Sequence, residues 1–356
     1  MSPDALLLLA LKGTLVAAVP LAYVRFSRDP LKFRKLAWVT AFLTLDLIMF
    51  GSFTRLTDSG LGCPDWPGCY GHSNPASAGE PIRAAQSALP SGPVTMTKAW
   101  IEMVHRYFAM GVGLLIIILT AQAWLRWRRD RRLSPWLATA TLAWVLAQGA
   151  FGAWTVTMKL QPLIVTIHLL GGIGLLALLC WLALREGGDV VVNASPHVAK
   201  LAKVAVGVVV LQVALGGWVS TNYAVMACPD FPLCQGKWLP PMDFVHAFTL
   251  WRPLGLTGSG EAIPFQSLVA IHWTHRMFAL AVVVVLGALV WRSWSVDGLR
   301  TAARVLLGLL LLQLATGTSN VVLQWPLLLA VAHTGGAALL VATLIVYNHR
   351  LARGPR

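Results

Sequence analysis

Charged residues are scarce in this chain of 356 residues, where Asp, Glu, Lys and Arg together make up only 12%. An average globular protein is about one quarter charged, so this chain has too few charges to cover a water-exposed surface. The apolar class reaches 57% and the mean hydropathy is +0.68. These values exclude a disordered chain and a collagen-like repeat, and five cysteines in this length exclude a small disulfide scaffold. The composition predicts an integral membrane protein.

Acidic residues are scarcer still, with 14 against 28 basic ones and a net formal charge of +14. In a soluble protein such an excess would suggest nucleic acid as a partner. Here the basic residues cluster between apolar segments, where they set the orientation of membrane helices. The expected partner is therefore the lipid bilayer and not nucleic acid.

Nine apolar segments are long enough to cross a bilayer as helices, which takes about 20 residues. They cover residues 5–24, 36–54, 101–124, 135–157, 163–184, 201–220, 267–291, 303–322 and 327–347. The alternating pattern of an outer-membrane barrel is lacking. The predicted fold is therefore all-α and polytopic.

The first segment lacks the basic start and the small-residue cleavage site of a signal peptide, so we expect a retained helix. Lys12 lies inside it. Basic clusters at 25–35, 126–132, 185–203, 292–304 and 350–356 all fall on one side if the nine helices alternate in direction. That side is predicted to be cytoplasmic, in a bacterial inner membrane, with the C-terminus inside. The loops at about 55–100 and 221–266 are then periplasmic.

The chain contains an internal repeat. The segment from Gly62 to Cys69 returns as Ala227 to Cys234, with both cysteines displaced by the same interval, and Glu102-Met-Val-His-Arg returns as His272-Trp-Thr-His-Arg. Four spans separate equivalent points, so the two copies have the same orientation. The predicted architecture is two parallel four-helix bundles plus one extra N-terminal helix. The predicted divisions are an N-terminal helix and basic loop (1–35), a first bundle (36–185), a linker (186–200), a second bundle (201–347) and a tail (348–356).

Four histidines occupy matched positions inside the spans: His105 and His168 in the first bundle, His275 and His333 in the second. A lone intramembrane histidine is usually a neutral, hydrogen-bonded core residue, whereas two repeated pairs at similar depth suggest axial ligands for haem. The Gly-Gly pairs after His168 and His333 would allow close approach of a planar group. A zinc or copper site would need further ligands.

The residues beside these histidines differ between the bundles. Arg106 and Arg276 follow the ligand histidines and could extend to the headgroups or bind haem propionates, which we favour. Glu102 lies one turn before His105, but its repeat equivalent is His272. A carboxylate beside only one haem suggests that one haem reacts and the other transfers electrons.

The remaining repeated residues are cysteines, Cys63 with Cys69 and Cys228 with Cys234, in the two outer loops. In an oxidising periplasm such pairs are expected to form local disulfides. A metal site is the alternative, and a disulfide could either cap the bundle or deliver reducing equivalents to the haem.

Taken together, the motifs resemble those of the haem A synthase family. They are the stretch from Thr54 to Gly71, Glu102 with His105-Arg106, His168, the stretch from Cys228 to Cys234, His275-Arg276 and His333, and the resemblance covers about residues 36–347. The first helix lies outside the eight-helix pattern of that family. His272 adds a histidine without a counterpart in the first bundle and could be mistaken for the ligand.

The resemblance implies an oxidoreductase that oxidises the C8 methyl of haem O to a formyl group, giving haem A for cytochrome c oxidase. It implies that His105 and His168 hold the substrate haem, and that His275 and His333 hold a haem b cofactor. Haem O synthase (protohaem farnesyltransferase) and an unidentified electron donor or acceptor are the implied partners. The rival hypotheses are a dihaem cytochrome b that only transfers electrons and a transporter built from parallel repeats.

Overall fold

Long helices make up most of the computed structural model, which describes residues 2–187, 192 and 194–352. Within these residues every regular element is helical, apart from isolated bridging residue pairs in the loops. The helices are α1 (Pro3–Phe26), α2 (Lys32–Leu56), α3 (Gly79–Ala88), α4 (Met96–Arg129), α5 (Trp136–Thr157), α6 (Pro162–Arg185), α7 (Pro196–Thr221), α8 (Phe244–Ala247), α9 (Phe265–Ser293), α10 (Arg300–Val322) and α11 (Leu327–Ala352).

Nine of these helices, all except the short α3 and α8, are long and apolar enough to span a membrane. Each of the nine predicted apolar segments corresponds to one of them, which confirms the prediction of a polytopic all-α membrane protein. The helices α3 and α8 lie in the two long loops, after α2 and after α7. These two loops carry the cysteine motifs.

Helix starts follow local capping chemistry. The side chains of Ser2, Thr95 and Ser195 accept hydrogen bonds from backbone N–H groups in the first turns of α1, α4 and α7. Such caps satisfy donors that have no partner inside the helix. Proline also occurs in the first turn of α1 and of α7. A backbone N–H there would have no partner inside the helix, and proline has no N–H.

The chain divides into two compact units. One comprises Met1–Leu160 and Gly174–Gly187, and the other Gln161–Ile173 and Gly188–Arg356. In the first, α1 and α2 pack on α4, and α4 packs on α5. In the second, α7 packs on α9, α9 on α10, α10 on α11 and α11 on α7, as expected of a four-helix bundle.

The division between the units passes through α6. Its first part joins the second unit because Thr166 hydrogen-bonds Thr221 of α7 at 3.2 Å, and because Gly217 packs against Thr166 and Leu169. The domain boundaries inferred from the repeat stay predictions. Residues 188–191 and 193 of the predicted linker, and 353–356 of the predicted tail, lie outside the described residues.

Candidate functional site

The two cysteine loops share one local structure. The structure contains a Cys63–Cys69 and a Cys228–Cys234 disulfide, each closing a short loop. Cys180, the remaining cysteine, is buried and unbonded. After each disulfide the chain makes a two-residue antiparallel bridge, between Cys69 and His72 in the first loop. The repeat seen in the sequence therefore extends to backbone conformation.

An aspartate at the same place closes each loop. Asp65 accepts from the backbone N–H groups of Tyr70, at 2.5 Å, and Gly71, at 2.7 Å. Asp230 accepts from Gln235 and Gly236, both at 2.8 Å. Burial acts to raise the pKa of Asp230, but these N–H donors and the Arg276 charge outweigh it and hold the pKa below 3.8. The carboxylate form therefore stabilises this loop.

Arg106 and Arg276 fasten these loops to the helices that carry the histidines. Nη1 of Arg106 donates to the backbone carbonyls of Asp65 at 2.8 Å and Gly68 at 2.5 Å. Arg276 donates to the carbonyls of Asp230 at 2.8 Å and, through Nη2, Cys228 at 2.6 Å. The sequence did not reveal these partners. The predicted binding of haem propionates by the same arginines stays a prediction.

Glu102 and His272 occupy equivalent positions one turn before His105 and His275, and each contacts the arginine that follows. Glu102 is 4% exposed, forms an ion pair with Arg106 and accepts from the backbone N–H of Cys63 at 2.8 Å. His272 is equally buried, and its Nε2 accepts from Nε of Arg276 at 3.2 Å. The predicted difference in charge between the bundles therefore concerns the partner of the arginine. A carboxylate binds Arg106, whereas an imidazole binds Arg276.

His275 and His333 come together in the second bundle, close enough to interact electrostatically. Gln212 of α7 donates to the carbonyl of His275 at 3.2 Å, and Gln313 of α10 donates to that of His333 at 3.1 Å. The hydroxyl of Thr316 lies 2.9 Å from Nδ1 of His333. Each of these two histidines is thereby anchored from the neighbouring helix. His272 is also close enough to His275 to interact electrostatically, and its Nε2 accepts a hydrogen bond from Arg276.

A glycine on the adjacent helix faces three of the four histidines. A Cβ at Gly216 would lie 2.9 Å from Cε1 of His275, and one at Gly317 would lie 3.2 Å from Cε1 of His333. In the first unit, a Cβ at Gly51 would lie 3.0 Å from Cε1 of His105. These distances are shorter than ordinary van der Waals contact, so a larger residue would displace the ring.

These glycines were not identified from the sequence. The repeat could have revealed two of them, because the interval between Gly51 and Gly216 equals the interval between Cys63 and its repeat equivalent Cys228. For the glycine pair after His333, the expected close approach of a planar group stays a prediction. Gly336 packs against the side-chain amide of Gln313, which lets α10 and α11 approach closely.

In the first unit, the ring of His105 also stacks on Phe50 of α2, with ring centroids 6.1 Å apart. His105 belongs to the first unit, whereas His168 lies on the part of α6 that joins the second. That these two histidines form a ligand pair stays a prediction. Among the described residues, no group of three or more His, Cys, Asp or Glu is arranged to hold a metal ion by itself.

The known proteins that are similar to this chain all indicate one family. A family model described as cytochrome oxidase assembly protein matches residues 34–345. A haem A synthase from Shewanella oneidensis is 39% identical over 323 residues, which is 89% of this chain and 97% of that protein. A haem A synthase from Caulobacter sp. K31 is 30% identical over 339 residues, covering 89% and 95% of the two chains.

A haem A synthase from Methylobacterium radiotolerans is 27% identical over 336 residues, covering 89% of both chains. The family match starts close to the beginning of α2 and ends within α11, so it contains both cysteine loops and all four matched histidines. The resemblance inferred from the motifs is thereby confirmed, and the chain belongs to the haem A synthase family of cytochrome oxidase assembly proteins.

Proposed function

We propose that this protein is a haem A synthase, which oxidises the C8 methyl of haem O to a formyl group and so supplies haem A to cytochrome c oxidase. The observation that carries the proposal is the matched setting of His105 and His275. Each lies on the helix after a disulfide loop and faces a glycine of the preceding span. The chain thus has two equivalent histidine sites, in a family whose named members are haem A synthases.

The second bundle would hold a haem b cofactor between His275 and His333. The residues fit that group: Nδ1 of His275 is buried without a hydrogen-bond partner, and glycines on the neighbouring helices accommodate the rings of His275 and His333. When bound, this haem would supply one-electron transfer. Gln212 and Gln313 would keep the two ring orientations by holding the backbone at each histidine.

The first pair, His105 and His168, would hold haem O as substrate. Phe50 and Gly51 shape the surroundings of the His105 ring from α2. Oxidising a methyl group to a formyl group proceeds through a hydroxymethyl group and a hydrated aldehyde. When water supplies the oxygen atom, the oxidation releases protons and electrons. The electrons require an external acceptor, and the protons require a nearby base.

Glu102 is the residue that we propose as this base. It lies one helical turn from His105 and is held by the Cys63 N–H and by Arg106. Its carboxylate would stabilise positive charge that develops on the substrate and would take up the released protons. His272, at the equivalent position in the second bundle, carries no negative charge, so the two sites would differ in reactivity. Propionate binding by Arg106 and Arg276 would be an additional role of these arginines.

We further propose that the protein lies in the bacterial inner membrane with both cysteine loops in the periplasm and its C-terminus in the cytoplasm. The support is the distribution of basic residues. The last turn of α4 contains Arg126, Arg128 and Arg129, and Arg25 and Lys32 lie where α1 ends and α2 begins. Haem O synthase would be the supplier of the substrate.

The test is pigment analysis of membranes from cells that make haem O, with and without this protein. We expect haem A only when the protein is present, and accumulation of haem O when the gene is deleted. Purified protein should retain haem b by its absorbance. Haem A at normal levels in the deletion strain would overturn the proposal, and tightly bound haem b without any haem A formation would favour a cytochrome that only transfers electrons.

A further inference from the structure

Lys12 is a charged residue inside α1, a helix that has no counterpart in the repeat. A lysine within an apolar span is costly unless it has a partner. Its ammonium group donates to the backbone carbonyl of Ser73 at 2.8 Å and to the Ser73 hydroxyl at 3.3 Å. It also lies over the ring of Tyr107, 5.1 Å from the centroid. The partners of Lys12 therefore belong to the first cysteine loop and to α4.

Ser73 is the residue at which this loop returns to the bundle. It directly follows the Cys69–His72 bridge that closes the disulfide turn. Its carbonyl accepts a second hydrogen bond, from the Tyr107 hydroxyl at 2.7 Å. Lys12 and Tyr107 thus bind the same backbone oxygen from two different helices, and so tie the base of the disulfide turn to both.

Apolar packing reinforces this attachment. Leu9, nearly one turn before Lys12, is 2% exposed and belongs to the same buried cluster as Cys63, Cys69, Ala99 and Met103. The helix α1 therefore covers the disulfide itself as well as the turn after it.

Close contact between α1 and α4 depends on two glycines. A Cβ at Gly13 would lie 2.8 Å from Cβ of Met110, and one at Gly111 would lie 2.6 Å from Cγ1 of Val16. Small residues that allow backbones to approach are the usual basis of helix packing in membranes. A large residue at position 13 would separate the helices and withdraw Lys12 from Ser73.

The second cysteine loop is attached differently. Trp238 is the repeat equivalent of Ser73, because each follows the second cysteine of its loop by the same number of positions. The carbonyl of Trp238 accepts from Nε1 of Trp273 at 2.9 Å. Trp273 belongs to α9, the helix that already carries His275 and Arg276. The second loop is thus held by its own bundle, whereas the first is held in addition by the extra helix.

We propose that α1 is a clamp for the first cysteine loop and that Lys12 is a positioning residue for the site at His105. The connection runs through the loop: Cys63 donates to Glu102, and Arg106 binds the carbonyls of Asp65 and Gly68. Releasing Ser73 would loosen the loop and with it both side chains beside His105. That this half of the protein acts on the substrate rests on the proposed function.

The clamp can be tested without reference to haem chemistry, by the reactivity of the two disulfides in the purified full-length protein. A water-soluble phosphine reduces exposed disulfides, and maleimide labelling followed by mass spectrometry separates the two pairs. In Lys12→Met we expect the Cys63–Cys69 pair to be reduced about tenfold faster, which corresponds to losing one hydrogen bond to a charged group. Cys228–Cys234 should be unchanged and serves as an internal control.

Variants of α1 separate the hydrogen bond from general damage. Lys12→Arg keeps the positive charge and the donors, so it should restore slow reduction. Gly13→Leu should behave like Lys12→Met, because it separates α1 from α4. Thr14→Leu is the matched control: Thr14 is exposed and its hydroxyl bonds within its own helix, to the carbonyl of Ala10. It should leave both disulfides as they are.

The positioning role is tested by haem A formation in membranes that contain haem O. We expect Lys12→Met to lower it about tenfold with the haem b absorbance unchanged, and Lys12→Arg to restore it. Equal reduction rates in Lys12→Met and the unaltered protein would overturn the clamp, as would equal acceleration of both disulfides. A loosened first loop with normal haem A formation would overturn the positioning role. If the unaltered protein makes no haem A, the proposed function fails while the disulfide measurement still decides the clamp.

Discussion

Gly216 of α7 and His275 of α9 are in direct contact, such that a Cβ on the glycine would lie 2.9 Å from Cε1 of the imidazole. The same relationship joins Gly51 to His105 in the first unit, at 3.0 Å. In both places the histidine ring occupies the space of the missing side chain. The orientation of these rings therefore depends on a residue in another helix.

Gly216→Val should abolish haem b binding, because the added side chain would displace the His275 ring from its position. Gly207→Val is the matched control, since Gly207 lies on the same helix and a Cβ there meets nothing within 4 Å. The measurement is the haem b absorbance per protein after purification. We expect at least about a tenfold loss for Gly216→Val, equivalent to roughly 1.4 kcal/mol of binding free energy, and no change for Gly207→Val. Full haem b in both variants would contradict the assignment.

His275→Ala and His333→Ala should each remove the haem b signal while the protein remains inserted in the membrane. Both imidazoles would hold the proposed haem b, and they are close enough in the second bundle to interact electrostatically. His272→Gln should retain haem b, because Nε2 of His272 is already engaged by a hydrogen bond from Arg276. Spectra of the three purified variants decide the matter. Loss of haem b in His272→Gln, with retention in His275→Ala, would show that His272 holds the haem and His275 does not.

Glu102→Gln should fold, retain haem b and bind haem O, yet form little or no haem A. Glutamine can still accept from the Cys63 N–H, but it lacks the negative charge and cannot take up a proton. Removing a general base of this kind typically lowers the rate about a hundredfold or more. Haem A formation is measured alongside the phosphine reduction of Cys63–Cys69, which reports whether the loop stays closed. Near-normal haem A formation would leave Glu102 with only its role in holding the loop.

Acidification should release the second cysteine loop through Asp230. Its pKa is lower in the folded protein than its ordinary value of 3.8, so the carboxylate contributes stability that is complete above that value. The contribution is lost as pH falls through the folded pKa. Between about pH 7 and 5 Asp230 stays ionised, so it should not change the rate at which the phosphine reduces Cys228–Cys234. Below about pH 4 we expect this rate to increase.

Asp230→Asn is the companion to this measurement. It removes the titrating group and weakens the hydrogen bonds from Gln235 and Gly236. The loop should then open more readily at neutral pH, and the acceleration below about pH 4 should disappear. The same acid response in Asp230→Asn as in the unaltered protein would show that another group is responsible.

Several features of this protein follow from its sequence because they depend on residues close together in the chain. The nine membrane helices are set by runs of about 20 apolar residues, which have no alternative to hydrogen-bonded helix in lipid. The repeat is visible because the Cys63–Cys69 and Cys228–Cys234 motifs and the four histidines recur in the same order. The family follows from those same motifs, which the similar proteins confirm.

The partners of individual side chains could not be read in this way. Arg106 has a basic side chain next to His105, and its sequence position is equally compatible with propionates, headgroups or backbone carbonyls. Only folding brings the carbonyls of Asp65 and Gly68 within 2.8 Å of it. The role of Lys12 is of the same kind, because its partner Ser73 belongs to a loop beyond the next membrane helix.

The sequence by itself determined the membrane class, the spans, the repeat and the candidate haem ligands, since apolar length and motif spacing are properties of the chain. The tertiary structure decided which groups meet: Gly216 with His275, Glu102 with Cys63, and Lys12 with Ser73. The physical reason is that a hydrogen bond or a close van der Waals contact is made at distances of about 3–4 Å. Residues far apart in the chain reach such distances only once their helices have packed.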